Sequence, residues 1–163
     1  MKALDVLFEE YPVDGFQDIW FHGLEPTEVA NLFNYACQKY GHGASHAIWN
    51  PDFDDNSDEP SSLCALSDVY YTFKPLIIET VSLDGVAIRI EDDNLAIDFD
   101  SGLEYWNSVR QSALMHWLRD LWNHAPHAVL DWAHEGSGDR PCQSQSELLR
   151  SAVMGDANLL NTS

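Results

Sequence analysis

An antiparallel hairpin is predicted by the run Val86-Ala87-Ile88-Arg89-Ile90-Glu91-Asp92-Asp93-Asn94-Leu95-Ala96-Ile97-Asp98-Phe99. Two apolar segments flank the polar tip 91–94, and in the first of them Val86, Ile88 and Ile90 alternate with Ala87 and Arg89. Because side chains in a strand point alternately to opposite faces, this alternation places one apolar face on a core. The acidic tip is expected to point to water.

Further segments with strand or helix patterns surround this hairpin. Aromatic and β-branched residues predict short strands at 15–23, 69–73 and 76–81. A helix is predicted from Pro26, because apolar residues recur at three- and four-residue spacing until Gly41. Together these patterns predict an α+β fold, with a small, mainly antiparallel sheet and two principal amphipathic helices packed on it.

The second helix is predicted to begin at Ser101. A serine caps a helix well, and Glu104 three residues later completes the capping-box pattern. Its buried stripe is predicted to comprise Leu103, Trp106, Val109, Ala113, Leu114, Trp117, Leu118 and Leu121. We expect the helix to end near His124, before Pro126, and residues 128–132 to add another helical turn or two.

The chain of 163 residues has the length of one domain. We expect residues 1–135 to form a single α+β domain, and residues 136–163 to form a linker with a C-terminal tail or short helix. The N-terminus carries acids and has no small-residue cleavage site, which predicts a cytoplasmic protein without a signal peptide. The sequence contains no run of about 18 apolar residues, so no membrane span is predicted.

The net charge is the property that bears most on function. Only 8 Lys and Arg residues stand against 27 Asp and Glu, so the formal charge is −19. A field of this sign repels nucleic acid and anionic membranes, and it accelerates encounter with a basic protein. The composition therefore predicts a basic protein partner, although solubility or adaptation to salt also accounts for the charge.

The sequence motifs of common catalytic sites are missing. No Gly-x-Ser-x-Gly elbow, phosphate loop or dinucleotide motif occurs, and the three cysteines are widely spaced. Asp98, Asp100 and Glu104 lie close in sequence, but such proximity is expected by chance among so many acids. The sequence thus predicts a protein that is not an enzyme and has no cofactor.

A metal-binding protein is an alternative, raised by histidines at 42, 46, 116, 124, 127 and 134. Their spacing matches no common metal motif. Oxygen ligands at alternate positions from Asp52 to Asp58 resemble the first half of a calcium loop. However, Ser57 replaces the turn glycine and Leu63 replaces the bidentate glutamate, so no metal site is predicted.

Acidic groups beside aromatic side chains form the predicted partner-binding surface. Charges of this kind steer a basic partner, and an aromatic anchor at the centre of an interface holds it. The predicted binding residues are Trp49, Asp52, Phe53, Asp54, Asp55, Asp58, Glu59, Glu91, Asp92 and Asp93.

The strand-rich middle is followed by Ser101-Gly102-Leu103-Glu104-Tyr105-Trp106 and Leu114-x-x-Trp117-Leu118-x-x-Leu121. Over residues 15–132 this arrangement resembles, in general type, the acidic immunity proteins of bacterial polymorphic toxin systems. The resemblance implies a protein that occludes the active site of a cognate toxin, often a basic nuclease whose groove accepts carboxylates in place of phosphates. An acidic nucleic-acid mimic of the antirestriction or anti-CRISPR type, a histidine-based metal-binding protein and a structural subunit remain open.

Overall fold

The structure is a computed structural model that describes residues 3–8, 16–41, 48–49, 69–100, 102, 104–134 and 142–155. The elements are a 3-10 helix (Ala3–Phe8), β1 (Phe16–His22), α1 (Pro26–Tyr40), β2 (Ile48–Trp49), β3 (Val69–Thr72), β4 (Leu76–Ile78), β5 (Val81–Leu83), β6 (Ala87–Glu91), β7 (Asn94–Asp100), α2 (Ser108–His124), β8 (Val129–His134) and α3 (Gln143–Met154). Among these residues, no helix is both long enough and apolar enough to cross a bilayer.

A six-stranded antiparallel sheet in the order β2-β3-β6-β7-β1-β8 forms the centre of the fold. Strands β4 and β5 form a separate small hairpin. The helices supply the other layer, since α1 contacts β6 and β7 while α2 contacts α1 and the β4–β5 hairpin. The predicted α+β class with an antiparallel sheet is confirmed.

The predicted β6–β7 hairpin is confirmed, and its tip is tighter than the sequence suggests. Glu91 pairs with Asn94, so only Asp92 and Asp93 form the turn. Their φ angles are +48° and +60°, the left-handed conformation that a two-residue type I′ turn requires at both positions. Two carboxylates therefore project from a short, well-defined turn.

One face of the sheet builds the core. Buried side chains alternate strictly along β1, as the period of two predicts, and in β6 and β7 the alternation is interrupted by the buried residues Ala87 and Ala96. They include Ile19, Phe21, Ile88, Ile97 and Phe99, which join the buried side of α1 in one apolar cluster. The other face carries polar side chains around Trp20 and the buried alanines Ala87, Ala96 and Ala133.

The predicted start of the second helix is wrong. Helix α2 begins at Ser108, and the Asn107 side chain accepts the Arg110 backbone N–H at 3.1 Å. Trp106, predicted to be helical, lies in coil before α2, where it is buried and its indole N–H donates to the Asp100 carbonyl. Glu104 is exposed in a turn, while Ser101 and Leu103 lie outside the described residues.

Val109 is also misassigned, since it is 59% exposed on the outer side of the helix. The predicted end of the helix near His124 is confirmed. Packing of Trp106 into the core thus delays the helix by several residues, a tertiary effect that the local capping pattern does not contain.

The prediction that residues 128–132 are helical is wrong as well. Val129–His134 is strand β8, which pairs with β1 along the edge of the sheet. Leu130 and Trp132 point into the core while Val129 is exposed. The predicted strand 76–81 is likewise divided into β4 and β5 by a turn at Glu79, whose φ is +55°.

Helix α3 covers the outer edge of β8. The Ser146 hydroxyl accepts the Trp132 backbone N–H at 2.8 Å, and the Arg150 Nε donates to the Leu130 carbonyl at 2.7 Å. Leu149 lies fully buried in the core. Because an uncovered edge strand invites pairing with another chain, these contacts protect this side of the sheet.

Candidate functional site

The second face of the sheet carries most of the titratable side chains of the strands. The strand register places Tyr70, Arg89, Ala96, Trp20 and Asp131 in one row across five strands. The neighbouring row contains Thr72, Ala87, Asp98, Asp18 and Ala133. We call the following side chains the polar face: Asp18, Trp20, His22, Tyr70, Thr72, Arg89, Glu91, Asn94, Asp98 and Asp131.

Arg89 lies at the centre of the polar face and contacts three carboxylates. Its Nε is 3.0 Å from Asp98 Oδ1, its Nη2 is 3.1 Å from Asp18 Oδ2, and its Nη1 contacts Glu91. The guanidinium carbon lies 4.9 Å from the centre of the Trp20 ring, a cation–π distance. The planar fork of arginine thereby connects β1, β6 and β7 through charge-assisted hydrogen bonds.

Asp98 does not behave as an ordinary surface carboxyl. Burial raises its pKa to about 7, and the nearby Asp18 carboxylate adds to this effect while Arg89 opposes it. The Asp98 side chain is only 15% exposed. Burial therefore favours the protonated form of Asp98, and the neighbouring Asp18 and Glu91 carboxylates act in the same direction.

Replacing Asp98 with asparagine is expected to make stability less dependent on pH. The folded-state pKa of Asp98 lies above the unfolded value near 4, so its contribution to stability is greatest below about pH 4 and is lost as the pH rises to about 7. Asparagine has no proton to release. We expect urea unfolding from about pH 5 to about pH 8 to show that the free energy of unfolding of the variant exceeds that of the wild type by an amount that grows with pH.

The matched control is Asp100→Asn, which neutralises an exposed acid on the same strand. It is expected to keep the pH dependence of the wild type. If the free energies of unfolding of the Asp98 variant and the wild type changed in parallel across this pH range, Asp98 would not be the titrating group.

A cavity of about 200 Å³ adjoins the Arg89 cluster. Its lining residues are Trp20, His22, Glu91, Asp92, Asn94, Asp131 and Ala133. His22 spans part of it, with Nε2 at 3.4 Å from Asp131 Oδ2 and Nδ1 at 3.3 Å from Asn94 Oδ1. The cavity thus combines three carboxylates with an indole, next to the β6–β7 turn.

The structure brings together only part of the predicted binding surface. Glu91 and Asp92 line the cavity, and Asp93 is exposed beside them in the turn. Trp49 belongs to edge strand β2, where its backbone pairs with Tyr70. The predicted residues Asp52, Phe53, Asp54, Asp55, Asp58 and Glu59 lie outside the described residues.

Several residues of the polar face are missing from the predicted binding surface, namely Asp18, Trp20, His22, Arg89, Asp98 and Asp131. Some of them could have been found from the residues that lie between the buried positions of each strand, because these share the opposite face of the sheet. Polar or aromatic residues recur at every other position in Asp18-x-Trp20-x-His22 and in Arg89-x-Glu91. Which strands lie side by side is not written in that pattern.

The described histidines among those considered as metal ligands do not converge, and His42 and His46 lie outside the described residues. His124 stacks on Tyr35 with ring centres 3.8 Å apart, His127 lies 3.1 Å from Glu28, and His116 is exposed on α2. His134 is on β8, where burial lowers its pKa. Among the residues described, no three or more His, Cys, Asp or Glu side chains are grouped so as to hold a metal ion.

The fold and the polar face define an α+β protein with an acidic, tryptophan-containing cavity, an arrangement whose chemistry suits the binding of a cationic group. Comparison of the chain with family models, with curated proteins and with solved structures finds no match.

Proposed function

We propose that this chain is a cytoplasmic, non-catalytic inhibitor of the immunity type, which binds a basic toxin or effector and neutralises it by occluding its active site. The observation that carries the proposal is the acidic β6–β7 turn beside a cavity that contains Trp20. Steering charges and an aromatic anchor are thereby placed on one surface.

The turn is suited to steering. Asp92 and Asp93 are both exposed, and the chain around them has a formal charge of −19. Charges at exposed positions act mainly on the rate at which partners meet, and their effect weakens as salt is added. A basic partner would be drawn to this end of the sheet.

The centre of the polar face supports binding over catalysis. Asp18 and Asp98, the paired carboxyls closest in character to an acid–base pair, are both held by the Arg89 guanidinium. Both side chains are about 15% exposed or less. An arginine fixed between two carboxylates organises the surface around it, and it leaves those carboxylates engaged.

The direct test is capture of the partner and measurement of neutralisation. Tagged full-length chain is used to recover proteins from the source cell at low salt, and each captured protein is expressed in a bacterial growth assay with and without the chain. We expect a basic partner whose toxicity the chain suppresses at equal stoichiometry. Capture of acidic partners only, or toxicity unchanged by the chain, would contradict the proposal.

Neutralising the turn with Asp92→Asn and Asp93→Asn is expected to slow association with the captured partner about tenfold at low salt. Asparagine tolerates the left-handed conformation of both positions, so the turn is retained. The slope of the association rate against salt concentration is expected to become shallower. Stopped-flow or surface-based kinetics across a salt series measures both effects.

The matched control is Glu104→Gln with Glu147→Gln, which removes the same charge from exposed positions elsewhere. If this control slowed association as much as the turn variant, net charge rather than the turn would be responsible, and the turn would not belong to the interface.

A further inference from the structure

The cavity beside the β6–β7 turn has the composition of a site for one cation. Glu91, Asp92 and Asp131 contribute carboxylates, Trp20 contributes an indole, and none of the lining residues is Lys or Arg. A cation–π contact and a carboxylate together recognise a desolvated cationic head group. Negative charge is thus concentrated beside an aromatic ring, which also stacks on His22 with ring centres 5.8 Å apart.

The arginines near the cavity contact its carboxylates without lining it. Arg89 reaches Glu91, and Arg150 reaches Asp131 Oδ1. Asp131 Oδ2 is directed towards His22 Nε2, 3.4 Å away. Asp92 is exposed at the turn. Glu91 and Asp131 therefore each have an arginine partner, but Arg89 is shared with Asp18 and Asp98. The surface around the cavity keeps an excess of negative charge, with Asp92 at its exposed edge.

The protein already shows this chemistry on Trp20. The Arg89 guanidinium lies 4.9 Å from the Trp20 ring centre while it contacts carboxylates on three sides. A planar guanidinium stacks on an aromatic ring and meets carboxylates through a fork of N–H donors, whereas an ammonium is a hydrated point charge. The arrangement around Trp20 therefore favours arginine over lysine.

The size of the cavity restricts what enters it. Pockets for drug-sized ligands have volumes of about 300–1,000 Å³. The cavity here, at about 200 Å³, is smaller, and this size suits one side chain.

We propose that this cavity binds the guanidinium of a single arginine side chain of the partner, with Trp20 and Asp131 as its principal contacts and Asp92 at its entrance. The inference rests on the proposed function, because it assigns the arginine to the basic partner, and it names the chemistry by which that partner is recognised. Binding here inserts a central anchor next to the steering turn.

The probe is N-acetyl-arginine amide, titrated into the full-length chain and followed by the indole N–H resonance of Trp20 and the side-chain amide of Asn94. We expect saturable shifts confined to residues lining the cavity. N-acetyl-lysine amide is expected to bind more weakly, and N-acetyl-citrulline amide, a neutral molecule of nearly the same shape, is expected not to bind. Equal shifts with citrulline, or shifts spread over exposed acids such as Glu104 and Glu147, would overturn the proposal.

Two variants test the site itself. Trp20→Leu is expected to weaken binding of the arginine amide about tenfold, followed by the Asn94 resonance. Asp92→Asn, in the exposed turn, is expected to weaken it less while leaving the fold intact. Glu147→Gln is the control, and it is expected to leave binding unchanged. Unchanged binding of the arginine amide in both cavity variants would overturn the proposal. Asp92→Asn keeps the test valid if Trp20→Leu folds poorly.

This inference and the proposed function fail in different ways. If Trp20→Leu bound the captured partner as tightly as the wild type while the turn variant still slowed association, the arginine site would be wrong and the inhibitor function would stand. If the arginine amide bound in the cavity but no basic protein were captured, the site would stand and the inhibitor function would be wrong.

Discussion

Replacing Trp132 with alanine is expected to lower the free energy of unfolding by about 4 kcal/mol. Trp132 is fully buried, and its ring lies 5.6 Å from Phe8 and 5.3 Å from Phe99, both in edge-on geometry. Its indole N–H also donates to the side-chain carbonyl of Gln17 at 2.7 Å. Alanine leaves a large void and an unpaired buried carbonyl, and urea denaturation followed by circular dichroism measures the loss.

Two further variants separate the causes. Trp132→Phe keeps an aromatic ring but removes the donor to Gln17, so we expect an intermediate loss of about 2 kcal/mol. Val129→Ala, at a residue of the same strand that is 48% exposed, is expected to change stability little. Equal losses at positions 129 and 132 would show that the edge strand, rather than the aromatic cluster, determines stability.

The elements that could be predicted are those whose causes are local. The alternation in 86–99 is sufficient to define both strands of the hairpin, since each strand needs only one buried face. Helix α1 begins at Pro26, because proline is favoured in the first turn, and its buried residues follow the helical period. No distant residue is required for either prediction.

The errors occur where a distant contact overrides a local preference. Ser101 and Glu104 have the spacing of a capping box, yet residues 104–107 are not helical and Trp106 packs against Phe8 and Phe99. Strand β8 depends on α3, the next element along the chain, on one side, and on β1, near the N-terminus, on the other. Propensity alone cannot weigh such contacts.

The candidate site, like the fold, could be predicted only where its residues are neighbours in sequence. Glu91, Asp92 and Asp93 are neighbours in sequence, so an acidic tip could be identified from the sequence. Arg89 meets Asp18 across 71 positions, and it meets Trp20 only because β6 and β1 flank β7 in the sheet. The cavity therefore emerges from strand order, which the single sequence does not reveal.

Replacing Arg89 with leucine is expected to lower the free energy of unfolding by about 3 kcal/mol at neutral pH. Removing one partner of a buried ion pair leaves the other charge without compensation, and Arg89 compensates Asp18, Asp98 and Glu91 together. Because the Arg89 side chain is 22% exposed, the effect lies at the lower end for buried pairs. Urea unfolding of both proteins near pH 7 measures it.

The loss is expected to depend on pH in a defined direction. Without the guanidinium, the folded-state pKa of Asp98, already raised to about 7, rises further, and the associated stability is lost as the pH rises above the unfolded value near 4. The difference in the free energy of unfolding between the wild type and the Arg89 variant therefore becomes smaller as the pH falls towards 4. A deficit independent of pH would mean that lost packing, rather than uncompensated charge, is the cause.

The double variant Arg89→Leu with Asp98→Asn is expected to recover part of the loss, because it removes one of the carboxylates that the arginine compensates. Arg110→Leu is the control, since that half-buried guanidinium contacts the Tyr105 ring and donates to the Tyr105 carbonyl at 3.0 Å, and we expect it to cost less than about 1 kcal/mol. The double variant also separates stability from recognition. Arg89 contacts both Trp20 and Glu91, which line the cavity, so a stable protein that lacks Arg89 is expected to bind arginine amide with altered affinity.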